Sequence, residues 1–250
     1  MVGAEPGPGA AGAAPMKRGL TGYRSLIADY TRAVLAVLWK DLAAEMRSKE
    51  LISSMLVFSL LVILIFNFAL ELDRTARSNV AAGVLWVTFT FAGTLGLNRS
   101  LSMEKDRGSL DGLLLAPVDR SALYFGKVLG NLLFMGLVEL IVLPVFSLLY
   151  NMPLLTPVMI LTVGLGTVGY AAVGTLLASM AVHTRSRDVM LPILLLPVAV
   201  PLLVAAVRAS GASIAAAPWE EISPWLNLLV AYDAIFIAVA FMVFDFVVEE

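Results

Sequence analysis

Six long apolar segments divide the chain, and each is long enough to cross a lipid bilayer. A transmembrane helix needs about 20 mostly apolar residues to span ~30 Å of hydrocarbon. Hydrophobic residues make up 60% of the chain, against ~45 to 50% in an average soluble domain. Backbone polar groups in lipid must pair internally, and the alternating pattern of barrel strands is absent, so these segments are helices. The sequence predicts an all-α integral membrane protein with six spans, at residues 51–70, 80–97, 128–150, 154–182, 189–207 and 226–248.

The chain ahead of the first span divides into two parts. Residues 1–22 are rich in alanine, glycine and proline without an apolar period, so we expect a disordered tail, with Met16 as a candidate start. The tail is not expected to be a signal peptide, because no apolar core follows its basic pair. Over residues 23–38 apolar side chains recur at helical spacing, which predicts an amphipathic helix on the membrane surface that bends into the first span. A cytoplasmic core helix is the alternative. Residues 23–250 are predicted to form one transmembrane domain.

Basic residues indicate the orientation of the spans. Fourteen of the 17 lysines and arginines precede the first span or follow an even-numbered span. Cytoplasmic loops carry an excess of basic residues, so both termini and the stretch between the second and third spans are predicted to be cytoplasmic. The fourteen are Lys17, Arg18, Arg24, Arg32, Lys40, Arg47, Lys49, Arg99, Lys105, Arg107, Arg120, Lys127, Arg185 and Arg187, and the other three are Arg74, Arg77 and Arg208.

The stretch from 99 to 127 is the longest charged interruption between two apolar segments. Its first part has the charge density of a water-exposed helix, which Gly108 ends. Ser109 can cap a short second turn with an apolar side, and Pro117 prevents its continuation. Asp119 then caps the helix of the third span. The pattern predicts helix, elbow and helix at the place where a partner docks, and a solvated loop is the alternative.

Several classes of chemistry are excluded by the residues present. The chain has no cysteine, and its single histidine, His183, excludes a multi-histidine cluster within the chain. His183 is expected to be a surface residue, with a ligand role as the alternative. The one Gly-Lys pair, Gly126-Lys127, lacks the earlier glycine of a P-loop and is followed by valine, so the chain is not predicted to bind ATP. No enzyme active site is indicated, and no metal site is expected.

Two features inside the spans point to function or to packing. Glu139 lies about 11 residues, ~16 Å, into the third predicted span and near the bilayer midplane. A carboxyl there must be protonated or hydrogen-bonded and must face other helices or an aqueous cavity, as structural glue or in a substrate role. In the fifth span, prolines should kink or break the helix, as a hinge or as a packing accommodation. They are Pro192, Pro197 and Pro201.

Glycines and the remaining acids of the spans give two weaker expectations. The fourth span is long, and its four glycines predict close helix packing or irregularity within one undivided span. Asp233 and Asp245 are expected nearer the ends of the last span, where water reaches them. The glycines are Gly164, Gly166, Gly169 and Gly174.

Together, these features resemble the permease subunit of an ABC exporter of the ABC-2 type. Residues 83–131 and the three-proline segment LPILLLPVAVPLL are similar to the haem exporter protein B family, the permease of the cytochrome c maturation transporter. The resemblance covers the chain from about residue 33 onward. Its most specific parts are the three-proline helix and a D-x-G-S-L core, which is followed by the acidic Asp111. The core residues are Asp106, Gly108, Ser109 and Leu110.

The resemblance implies a bacterial inner-membrane subunit that couples to a separate ATP-binding subunit, expected as a dimer, beside other cytochrome c maturation membrane subunits. ATP and magnesium would be held by that partner, and haem is a possible substrate. No cofactor is expected to be bound firmly by this chain, since it lacks an intramembrane histidine for axial ligation. A permease for another substrate and a non-transporting scaffold stay open as alternatives. The elbow would then be the coupling helix, with contacts from Glu104, Lys105, Asp106, Arg107, Gly108, Ser109, Leu110, Asp111 and Leu113.

Overall fold

A computed structural model describes residues 18–69, 74–106, 120–181 and 187–247. Within these ranges the chain forms helices joined by short turns, with no strand, which confirms the predicted all-α class. The seven helices are α1 (Arg18–Ser48), α2 (Glu50–Ala69), α3 (Arg74–Asp106), α4 (Arg120–Tyr150), α5 (Pro157–Ala181), α6 (Arg187–Ile214) and α7 (Trp219–Val247).

Helices α2 to α7 each contain one stretch that is long and apolar enough to cross a membrane, so the six predicted spans are confirmed. Two of them begin seven residues earlier than the sequence predicted. The span in α4 starts at Ser121 instead of residue 128, because Lys127 pairs with an aspartate of α1 and does not interrupt the helix. The span in α7 starts at Trp219 instead of residue 226, with Glu220 and Glu221 in its first turn, where a helix N-terminus favours acids.

The least hydropathic spans lie at the centre of the bundle. The spans of α3 and α5 have a mean hydropathy of 1.7 and are 72% and 67% buried. The span of α2 has a mean hydropathy of 2.5 but is only 22% buried. A helix enclosed by other helices needs small side chains for close approach, whereas an outer helix presents apolar side chains to lipid. Helix α5 contacts α3, α4, α6 and α7 and forms the axis of the bundle.

Glycines allow these contacts, as predicted for the fourth span. A Cβ added to Gly166 would lie 2.1 Å from the Trp86 ring of α3, and one on Gly174 would lie 2.3 Å from Leu97. At Gly169 an added Cβ would lie 2.2 Å from an oxygen of Asp233. Gly164 differs, because an added Cβ there meets nothing within 4 Å. Helix α5 is a single regular helix, so three of its glycines serve close packing.

Helix α1 lies beside the bundle and joins it through a sharp turn. It contacts α4 and α2, and it begins at Arg18, five residues before the predicted position. Lys49 separates α1 from α2 with a left-handed φ of 53°. Both oxygens of the Glu45 carboxylate brace this turn, since they accept hydrogen bonds from the Ile52 backbone N–H (2.9 Å) and the Ser48 hydroxyl (3.3 Å). Lys49 therefore marks the break between α1 and the first span, while the bend and the placement of α1 on a membrane surface stay predictions.

The three prolines of α6 do not break it. The helix runs without interruption from Arg187 to Ile214 and includes Pro192, Pro197 and Pro201. Between the last two prolines, the carbonyl of Val198 accepts a hydrogen bond from the Tyr232 hydroxyl of α7 at 3.0 Å. A neighbouring helix thus supplies a donor in the segment that proline weakens.

Candidate functional site

The predicted coupling stretch lies mostly outside the described residues. Helix α3 carries the backbone of Glu104, Lys105 and Asp106 in its last turn, and α4 resumes at Arg120. Tertiary structure can therefore be read only from the helix ends that flank the stretch. The candidate residues outside the description are Arg107, Gly108, Ser109, Leu110, Asp111, Leu113 and His183.

Helix α1 is seated on the first turns of α4, next to this stretch. Gly126 and Gly130 lie one turn apart and form a groove on α4. A Cβ on Gly126 would lie 2.7 Å from the Cβ of Val37, and one on Gly130 would lie 3.8 Å from the Cβ of Asp41. Val37 and Asp41 are themselves one turn apart on α1, so two adjacent turns of each helix meet.

A buried ion pair closes the same contact. Lys127 Nζ donates to Asp41 Oδ2 at 2.8 Å, and both side chains are only 9% exposed. The other oxygen of Asp41 lies 3.2 Å from Lys40 Nζ. An ion pair between Arg99 and Glu50 links the late part of α3 to the start of α2. One ion pair therefore joins α1 to α4 and another joins α2 to α3.

Glu139 lies in the core between α4, α5 and α3. It is 8% exposed, as the sequence predicted for a residue that faces other helices. The Thr167 hydroxyl of α5 donates to Glu139 Oε1 at 2.6 Å. Beside the carboxyl is a cavity of about 10 Å³ lined by Trp86, Phe89, Thr90, Met135, Glu139, Thr167 and Tyr170. This volume is at the lower limit for one water molecule, so the described cavity does not admit a large substrate.

The prediction that water reaches Asp233 is wrong. This residue lies near the middle of the span Trp219–Val243 and is 6% exposed. Both carboxylate oxygens are buried and have no hydrogen-bond partner in the described part of the chain. The prediction failed because it placed the start of the span seven residues too late, which made Asp233 look close to an end. Within the described ranges, the bundle thus has two acidic residues deep in its spans, Glu139 in α4 and Asp233 in α7.

Hydroxyl groups link α3 and α5 at the same level. The Tyr170 hydroxyl donates to the Thr90 carbonyl at 3.0 Å and lies 2.7 Å from the Thr94 hydroxyl. Trp86 Nε1 donates to the Ser210 hydroxyl of α6 at 2.9 Å. In the described ranges no group of three or more metal-binding side chains comes together. These hydrogen bonds hold α3 in register with α5 and α6.

Sequence reasoning missed Asp41, Thr167 and the groove on α4, and it placed Asp233 too close to the end of its span. The groove had a signal, because residues 126–130 spell GKVLG, a G-x-x-x-G pattern of close helix contact. No local pattern marks Thr167 as the partner of Glu139, since the two are 28 residues apart on different helices.

Comparison with known proteins gives a consistent result. The family model described as CcmB protein matches residues 32–249. A protein named Heme exporter protein B from Pseudomonas aeruginosa is 29% identical over 70% of this chain and 79% of its own length. Proteins of the same name from Rhodobacter capsulatus and Paracoccus denitrificans are 29% and 31% identical, each over 68% of this chain and 78% of its own length. The matched region includes all six spans and most of α1.

Proposed function

This chain belongs to the CcmB protein family, and from that premise we propose that it is the permease subunit of an ABC transporter for cytochrome c maturation. In this role it couples ATP hydrolysis by a partner subunit to haem export, or to release of a haem-loaded chaperone. The observation that carries the proposal is the family match across all six spans. The sequence has no P-loop, so the ATPase must be another chain. A permease for a different substrate and a non-transporting scaffold are the competing functions.

The coupling site is proposed to be the stretch between α3 and α4. The excess of basic residues on its side of the bundle supports a cytoplasmic location, with both termini there too. Residues 104–111 combine charge for register with leucine for burial, as expected of a small anchor with a polar rim. Helix α3 is the most buried span, so a push on its end reaches the bundle core directly. The bacterial sources of the relatives support an inner-membrane location.

Replacing Leu110 and Leu113 with aspartate tests this site. The double variant should reach the membrane at a normal level but lose the ATPase in a mild-detergent pull-down, because an anchor of two leucines no longer fits an apolar groove. Leu155→Asp is the matched control, since Leu155 is 59% exposed beyond the opposite end of α4. It should retain the ATPase. An ATPase that stays bound to the double variant with full turnover would place docking elsewhere.

Transport is proposed to require the proline segment of α6. Pro192, Pro197 and Pro201 remove three backbone donors from one helix, which softens it at membrane depth. The sequence has a single histidine, so firm axial ligation of haem is not supported, and a conduit or power-coupling role fits better.

The triple change of these prolines to leucine separates a conduit from a scaffold. A conduit should lose haem attachment to a reporter cytochrome c while ATP hydrolysis and complex assembly continue, because the stiffened helix still spans the membrane. Pro144→Leu, an exposed proline inside α4, is the matched control and should keep attachment. Unimpaired attachment in the triple variant would remove the hinge and favour the scaffold.

A further inference from the structure

A buried contact ties α1 to the base of α4, seven residues after Arg120, where α4 begins. We propose that Asp41 is a positioning residue, which clamps α1 to α4 so that both helices move as one unit when the ATPase displaces the coupling stretch. The inference rests on the proposed function, because it names the path by which that displacement spreads through the permease.

Shape is the first support for the clamp. The contact leaves almost no space at Gly126, where an added Cβ would also lie 3.1 Å from the backbone carbonyl of Val34. Further along α4 an added Cβ on Gly136 meets nothing within 4 Å, so this glycine, unlike Gly126 and Gly130, does not mark a close contact. Two of the three glycines of α4 thus lie where α1 crosses, which indicates a surface shaped for close contact with α1.

Charge is the second support. Lys127 lies within the apolar span Ser121–Tyr150, and its buried ammonium group would be costly without a partner. Asp41 supplies that partner from α1. An apolar pair would hold the two helices together as well, but it would allow them to slide. A buried ion pair fixes one register, because sliding by a turn would leave a buried charge uncompensated.

The base of α4 connects onward to the bundle core. On another face of α4, the Tyr124 hydroxyl donates to the Ala172 carbonyl of α5 at 2.9 Å. Tyr124 and Val128 pack with Leu176 of α5 and Ala240 of α7. Helix α1 in turn continues into α2 through the turn at Lys49, which Glu45 braces. Motion of α4 would therefore move both the core and, through the clamp, the outer helix α2.

A switchable cross-link tests the clamp in the assembled complex. The chain has no cysteine, and the 3.8 Å between the Asp41 Cβ and a Cβ built on Gly130 suits a disulfide. We would make Asp41→Cys, Gly130→Cys and Lys127→Met together, which removes the ion pair without leaving a buried charge. Membrane vesicles with the permease and its ATPase are oxidised or reduced and washed, then given ATP and a reporter apocytochrome.

The reduced variant should bind the ATPase and hydrolyse ATP, but haem attached per ATP hydrolysed should fall about tenfold, within the range of coupling between two sites. Oxidation should restore the ratio, because the disulfide replaces the ion pair as the tie. Loss of an ion pair that only stabilises the fold would not lower haem attachment while ATP hydrolysis continues. The natural chain, treated identically, reports any effect of the oxidant on other components.

Three results would overturn the clamp: no disulfide forms on oxidation, the ratio is the same in both redox states, or the cross-linked protein stays as impaired as the reduced one. A natural chain that supports neither ATPase binding nor haem attachment would instead overturn the proposed function.

If the triple variant does not reach the membrane, two glycine variants decide the question. Gly126→Ala should lower the attachment ratio, because its Cβ pushes Val37 away. Gly136→Ala on the same helix should not. Equal ratios for the two would overturn the clamp. Asp29→Asn, at an exposed aspartate of α1, should also leave the ratio unchanged.

Discussion

Glu139 and Asp233 are two buried carboxyls on opposite sides of α5, and they are held in different ways. Glu139 meets the hydroxyl of Thr167, whereas Asp233 packs on the bare backbone of Gly169. Thr167 and Gly169 are two positions apart, about 200° around the helix, so they face different neighbours at nearly the same depth. The first carboxyl has a hydrogen-bond partner and a small cavity beside it, while the second has no hydrogen-bond partner in the described ranges.

Helix α5 therefore contacts two intramembrane carboxyls in two ways, one through a side-chain hydroxyl and the other through the backbone at a glycine. Thr167 Oγ1 lies 2.6 Å from Glu139 Oε1 and 2.8 Å from the Val163 carbonyl, and its single proton can serve only one of them at a time. A neutral carboxyl that donates to Thr167 would satisfy both contacts. Asp233 has no such hydrogen bond in the described ranges, and an unsatisfied buried polar group costs stability.

Charge reversal at Glu139 should give the largest effect. Glu139→Lys places an ammonium group beside the Thr167 hydroxyl in the buried core, and a lysine at the membrane centre costs about 3 kcal/mol. We expect poor membrane insertion and a matching loss in the free energy of unfolding in detergent. Glu139→Gln is the matched control and should be nearly silent, since its amide can bond to Thr167. A fully functional lysine variant would mean that the side chain reaches water.

Filling the space beside Asp233 should have the next largest effect. Gly169→Ala puts a Cβ 2.2 Å from Asp233 Oδ1 and 2.4 Å from Leu202. Overpacking of this kind costs about 2 kcal/mol, and thermal unfolding in detergent would measure the loss. Gly164→Ala is the control on the same helix, because its Cβ meets open space. Equal stability of the two variants would show that Asp233 is not held against α5.

Removing each carboxyl should give small effects of opposite sign. Asp233→Ala should raise the free energy of unfolding by about 1 kcal/mol, because it deletes an unsatisfied buried group. Glu139→Ala should lower it, because Thr167 loses its partner and a cavity forms. Asp29→Ala, at an exposed aspartate of α1, corrects for the helix propensity of alanine. A loss of stability in Asp233→Ala would reveal a partner for Asp233 and end the contrast with Glu139.

The order of the helices and the class of fold could be predicted from the sequence, since each depends on local runs of residues. Span boundaries could not, and the late start predicted for the span of α4 shows why. A charged residue looks like the end of a span until its partner is known. Lys127 is paired with Asp41, 86 positions earlier in the chain, and no local pattern records that contact.

The sequence by itself determined the six spans and their α-helical form, because lipid imposes length and internal hydrogen bonding on each segment separately. It also determined the absence of a P-loop, because that motif is a local run of residues. Tertiary structure decided which acids are buried, which glycines contact a neighbour and which helix α1 docks on. Gly164 and Gly169 look alike in the sequence, yet of the two only Gly169 lies against a carboxyl of another helix. Burial and pairing depend on which residues of different helices meet. The periodicity of one helix predicts which of its faces is apolar, but it does not predict which helix packs against that face.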